Sequence, residues 1–191
     1  MFLLYAVVIG LIVGLVLRGK LAGLASLEFR WAPLAIAGFA VQIALFSGPI
    51  SDRVGVLGPA IYVASTGFVL LVVLRNVRIS GLAVVAVGAA SNLAAIVVNG
   101  GYMPASPSAA VAAGRSVAST YSNSAIVESA ALAPLTDIFA LPRWLPLSNV
   151  FSIGDVFIGL GIVVAIVVAM RSGRRAATGA PGNLPLQDAA A

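Results

Sequence analysis

The sequence predicts an all-α membrane protein, a five-transmembrane-helix bundle with an extracytoplasmic loop carrying short helices. Three observations lead there. Of 191 residues, 61% are hydrophobic and 9% charged, where a soluble domain carries ~25% charged residues; the mean hydropathy is +1.10. Apolar runs of about membrane-spanning length recur at 1–17, 31–46, 56–74, 79–98 and 150–170. The basic residues between them gather in alternate loops, the pattern of cytoplasmic loops in membrane proteins.

The first span, Met1–Leu17, has no basic stretch ahead of it and no small-residue cleavage site. It is expected to be retained rather than removed as a signal sequence. Arg18, Lys20 and Arg30 flank the loop that follows. The second loop carries only Asp52 and Arg53, which cancel and are expected to pair at the surface. Arg75 and Arg78 make the third loop basic, and Arg171, Arg174 and Arg175 follow the last span. Odd-numbered loops and the carboxyl terminus are therefore expected in the cytoplasm, with the amino terminus outside.

The loop 99–149 is the one sizeable element outside the spans, and it sets Arg115 and Arg143 against Glu128 and Asp137. Within it, Ser106–Ala113 ending at Gly114 reads as a short capped helix. Asn123–Leu132, closed by Pro134, reads as a second. Arg143 and Trp144 are expected to anchor the loop at the headgroup level. Residues 1–175 then form the membrane domain. Residues 176–191, rich in Ala, Gly and Pro, are expected to be a disordered cytoplasmic tail.

Composition also removes chemistry. With no cysteine there is neither disulfide nor thiolate chemistry, and with no histidine there is no His-based triad or His metal site. The one lysine, Lys20, is expected on the opposite side from the long loop, so no Ser–Lys dyad is expected there. No metal, cofactor or nucleic-acid partner is expected; the net charge of +5 is explained by cytoplasmic loops. The groups left for acid–base work are Glu28, Asp52, Glu128, Asp137, Asp155 and Asp188.

Asp155 stands out because it opens the last span, where an acid must be paired, protonated or functional. Ser152-Ile-Gly-Asp155 fits a capping box, which by itself explains the acid structurally. Were the helix to extend back to Ser148, then Ser148, Ser152 and Asp155 would share one face as a polar stripe. Asp137 sits between apolar neighbours, either as a loop or capping acid or as the partner of Asp155. In the fourth span Gly88, Asn92, Ala95 and Asn99 fall on one helical face, a seam for close packing and interhelical hydrogen bonds. Asn99-Gly100-Gly101-Tyr102-Met103-Pro104 is a turn, and its glycines permit close approach of another backbone, expected to be the mouth of the Asp155 helix. Gln42, Ser65 and Thr66 are expected to bond between helices. Asn92, Asn99, Gly100, Gly101, Asn149 and Ser152 are thus the supporting residues around an Asp137–Asp155 pair.

Two resemblances follow from these motifs. Asn99-Gly-Gly-Tyr-Met-Pro104 with Ser148-Asn-Val-Phe-Ser-Ile-Gly-Asp-Val156 resembles the signature of a bacterial multi-pass membrane family of unknown function, which implies the bacterial cytoplasmic (inner) membrane. More distantly, Asp137, Trp144, Pro146, Asn149 and Asp155 follow the order of the last third of the type II (lipoprotein) signal peptidases. Gly88-Ala-Ala-Ser-Asn92 is similar to that family's glycine–asparagine motif. The chain departs from that family between Phe46 and Val56, where the family's conserved asparagine segment has no counterpart, and in the longer Asn149-to-Asp155 spacing. The second resemblance implies an intramembrane aspartyl hydrolase, with Asp137 and Asp155 catalytic and a peptide or lipid-linked substrate reached from the outer leaflet. The alternative is a non-enzymatic lipid- or partner-binding or assembly protein.

Overall fold

The computed structural model describes residues 2–45, 47, 50, 53–114, 124–126 and 129–178. The protein is mostly helical. In chain order the α-helices described from end to end are α1 (Phe2–Val16), α2 (Ala22–Ala25), α3 (Ala32–Leu45), α4 (Gly58–Arg75), α5 (Leu82–Val98), α6 (Pro107–Ala112) and α7 (Ile153–Thr178). Each of the five apolar runs contains one long helix. Two helical stretches are long and apolar enough to cross a membrane, Gly55–Arg75 and Ile153–Ser172; α1, α3 and α5 are shorter apolar helices.

The five long helices pack in the order α3, α4, α5, α7, α1. Their directions can be read from side chains that meet. Gly38 faces Val69 while Gln42 bonds Ser65 and Thr66, so α3 and α4 are antiparallel. Tyr62 clusters with Ala95 and Ile96, and Val73 with Leu82 and Val85, so α4 and α5 are antiparallel. Along α7, Gly159 meets Phe2 and Ala6, Val163 and Ile166 meet Gly10, and Met170 meets Gly14. The first and last long helices therefore run parallel, and α1, α4 and α7 point opposite to α3 and α5.

Helix α5 packs closely against α7. A Cβ on Gly81 would lie 2.2 Å from the Gly161 carbonyl oxygen, and one on Gly88 would lie 2.3 Å from that of Gly154. The same seven-residue step on both antiparallel helices brings the two glycine pairs together, so the backbones approach where any side chain would hold them apart.

Residues between α5 and α7 form a small cap over one end of the bundle. Strand β1 (Met103–Ala105) pairs in parallel with β2 (Ser124–Ile126). Strand β3 (Phe139–Ala140) pairs antiparallel with β4 (Val150–Phe151). Stacked rings tie α1 to this hairpin: Phe2 on Phe151 at 4.4 Å and Phe139 on Phe151 at 5.4 Å between centroids. At the opposite end Asn76, only 4% exposed, accepts from the Arg30 N–H at 2.7 Å and donates to the Arg30 and Val72 carbonyls at 2.8 Å each. The Arg75 guanidinium lies 6.0 Å over the Trp31 ring beside it.

Ser106 caps α6, its Oγ accepting from the Ala109 N–H at 3.2 Å, and Gly114 follows the helix with φ +70°, as expected. Three expectations need correction. Asn123–Leu132 is not helical: residues 124–126 are strand and Ser129 is a bend, while 123, 127 and 128 lie outside the described residues. The extended β1 leaves backbone groups that only another extended segment can satisfy. The last helix begins at Ile153 rather than 150, because Val150–Phe151 is committed to the β3–β4 hairpin. It also continues to Thr178, past the expected start of the tail, since Arg171–Thr178 holds no proline or glycine pair to stop it. Asp52, Arg115, Glu128, Asp188 and residues 179–191 lie outside the described residues, and with them the Asp52–Arg53 pair and most of the tail.

Candidate functional site

The start of α7 is bound into a closed ring of hydrogen bonds. The Ser152 N–H donates to Asp155 Oδ2 at 3.2 Å, and the Asp155 N–H donates back to Ser152 Oγ at 3.0 Å. This is the capping box expected from the spacing, and it satisfies backbone donors that a helix start leaves open. Asn92, two turns from the end of α5, completes the ring. Its Nδ2 donates to Asp155 Oδ1 at 2.9 Å, and its Oδ1 accepts from the Ser152 hydroxyl at 2.8 Å. The ring fixes which way the amide points, since reversing it would set the amide oxygen against the Asp155 carboxylate, acceptor against acceptor. Ser152 is fully buried. Gly154 makes room for Asn92: a Cβ there would lie 2.0 Å from Asn92 Oδ1.

Asp137 reaches the same end of the bundle by a different route. Its N–H donates to the Pro104 carbonyl at 2.9 Å and its carbonyl accepts from the Ser106 N–H at 3.1 Å, forming a parallel bridge with Ala105. The residue is 6% exposed. Two residues later the chain enters β3, whose partner β4 leads directly into α7. The hairpin therefore delivers both acids to the same end of the bundle.

They line one cavity of about 450 Å³ together with Asn92 and Asn149. Its walls come from all five long helices. Gln42 and Thr66, joined at 3.2 Å, also line it, as do Tyr62, Ala89 and a run of apolar residues extending to Phe29, Val73, Leu82 and Ile162. The volume is in the range of small-molecule sites, ~300–1,000 Å³.

Other expected site residues lie elsewhere. Asn99 does not line the cavity. Its side chain holds the cap down, donating to the Ala95 and Ala131 carbonyls at 2.8 and 2.9 Å and accepting from the Ala131 N–H at 3.0 Å. Gly101, at φ +87°, packs on Pro59 at the start of α4, where a Cβ would lie 2.3 Å from the Pro59 Cβ; an added Cβ on Gly100 would meet nothing within 4 Å. The close approach made by this turn is thus to α4 and not to the mouth of α7. Ser148 makes no stripe with Ser152 and Asp155, since a strand intervenes; its hydroxyl lies 2.8 Å from both the Ala113 and Leu141 carbonyls. Ala95 turns toward Tyr62 and Leu45 rather than toward α7. The signal for the Asn92–Asp155 bond was present in the sequence as Gly154, a gap beside the acid shaped for a neighbour's side chain.

A family of unknown function (DUF5317) matches residues 26–167, well over half of the chain. The chain belongs to this family. No curated protein and no solved structure matches it. The DUF5317 region contains the whole hydrogen-bonded ring, Asp137, Asn149, helices α3, α4 and α5 and the first part of α7, whereas α1 lies before it.

Proposed function

We propose that this DUF5317 protein is a five-span membrane protein, amino terminus outside and carboxyl terminus cytoplasmic, whose outward-facing cavity binds an amphipathic molecule. The membrane reading is supported by where apolar surface lies. In the two longest apolar helices only 28% of the most apolar window is buried, unlike the core helix of a soluble protein. Ile9, Ile12, Ile36, Ile43 and Leu160 are each at least half exposed, a belt that water would disfavour. Alternating helix directions and alternating basic loops support five crossings.

The observation that carries the binding reading is the polarity of the cavity. Its acids and Asn149 gather under the cap, and its far end is apolar. That arrangement suits a polar head and an apolar chain. The test is thermal melting of the purified protein in detergent with a panel of amphiphiles, beside Ala89→Trp, which fills the cavity. Stabilisation of wild type by some member, lost in Ala89→Trp, supports binding; no stabilisation across the panel counts against it.

A second reading is an intramembrane aspartyl hydrolase, favoured by two carboxylates lining one cavity. Two carboxylates brought into close contact share a proton, because both cannot readily ionise together. The ionised member would deprotonate a water while the protonated one polarises a carbonyl. Asn149 would orient the substrate. Asp137→Asn and Asp155→Asn should each abolish cleavage of peptide or lipid-linked substrates; full activity in either variant, or none in wild type, removes this reading.

A further inference from the structure

Resting on the binding reading, we infer that the cavity admits its ligand sideways from the bilayer, between α1 and α3, and that the ligand is a chain-bearing amphiphile with an uncharged, hydroxyl- or amide-bearing head. The helix row begins with α3 and ends with α1, and among the described residues those two ends approach each other only slightly, unlike every neighbouring pair within the row. Both nonetheless contribute to the lining, α1 through Phe2 and Leu3 and α3 through Ala35, Phe39 and Gln42. Among the described residues, a cavity walled by five helices in such a row is least enclosed between the row's two ends. Phe39, on that rim, is half exposed.

The depth of the slot follows from α5. Its lining residues run from Ile96 under the cap through Asn92 and Ala89 to Leu82 at the far end, about 21 Å of helix. Only an extended apolar chain uses that length. The head is selected by charge. Among the described residues lining the cavity are two carboxylates and no Lys or Arg. A phosphate-headed lipid would meet like charge at the point of recognition. Hydroxyls and amides would instead find carboxylate acceptors and the Asn149 amide.

The experiment uses two photoreactive single-chain probes with a diazirine at the chain end. One is a monoacylglycerol and the other carries a phosphate monoester on the same glycerol. Each is equilibrated with the full-length protein in neutral nanodiscs, irradiated, and mapped by peptide mass spectrometry. The monoacylglycerol should label around Phe29, Val73, Leu82 and Ile162, at least about tenfold more than the phosphate probe. Asp137→Asn should raise labelling by the phosphate probe at those positions. A double variant with Leu3→Cys and Phe39→Cys, in a chain that has no native cysteine, allows the rim to be bridged by a bifunctional thiol reagent. Bridging before probe addition should abolish interior labelling, while bridging afterwards should not. Equal interior labelling by both probes overturns the head selection. Interior labelling that persists after prior bridging overturns the lateral route. Labelling confined to outward residues such as Ile36 and Ile43, with both probes, overturns the binding reading itself.

Discussion

Asn92 and Asp155, 63 positions apart in sequence, are joined by a 2.9 Å hydrogen bond from Nδ2 to Oδ1, and the same amide takes the Ser152 hydroxyl at 2.8 Å. One side chain on α5 thereby fixes both the mouth of α7 and one wall of the cavity. Asn92→Leu removes both bonds and leaves the acid and the hydroxyl to find other partners. A hydrogen bond to a charged group contributes ~1.5–3 kcal/mol, so Asn92→Leu should lower the melting temperature clearly, and Asn92→Asp should do so more by placing a second acid beside Asp155. An unchanged melting curve for both variants would mean that the ring contributes nothing to the fold.

The α5–α7 seam makes a sterically sharper prediction. Gly88→Val must displace the Gly154 carbonyl, and Gly154→Ala must displace Asn92. Overpacking of this kind costs about 1–3 kcal/mol or more where backbone has to move. Both variants should melt earlier than wild type, whereas Gly67→Ala, whose added Cβ would come no nearer than 3.9 Å to Leu93, should melt like it. If all three behave alike, the seam is looser than described.

The two glycines of the turn after α5 separate strain from contact. Both have positive φ, +75° at Gly100 and +87° at Gly101, but only Gly101 is pressed against Pro59. Gly100→Val should show the backbone penalty alone, of the order of 1–2 kcal/mol, and Gly101→Val should show that plus a clash. Thermal melts should rank Gly101→Val below Gly100→Val; the reverse order would exclude the Pro59 contact as the reason for the glycine.

Topology is tested independently of stability. Reporter fusions at the carboxyl terminus should read cytoplasmic, and a reporter inserted after Gly114, in the cap, should read extracytoplasmic. The same signal from both positions would contradict the alternation of spans.

Much of this was legible in the sequence because its signals are local. The apolar runs placed all five long helices, Ser106 and Gly114 placed α6, and Ser152-x-x-Asp155 placed the cap of α7. Gln42 with Ser65 and Thr66 was readable as an interhelical bond because isolated polar groups on apolar helices need partners. The failures share a cause. Pairing of β1 with β2, the role of Asn99 in holding Ala131, and the seat of Gly101 on Pro59 depend on distant segments, which periodicity does not encode. Asn92 is readable as a supporting residue of the Asp137–Asp155 pair, but its direct bond to Asp155 is not, since nothing in its own neighbourhood names that acid. The shared cavity of Asp137 and Asp155 depends on the β3–β4 register, and two-residue strands carry almost no pattern of their own.

The central claim is that a chain-bearing amphiphile occupies the cavity beneath Asp137 and Asp155. Native mass spectrometry of the protein released from its own membranes tests this most directly, comparing wild type with Ala89→Trp after confirming that both melt cooperatively. The account predicts a discrete lipid-sized adduct on wild type that survives mild activation and is absent from Ala89→Trp. An equal adduct on both proteins, or a wild type free of adducts, would contradict it.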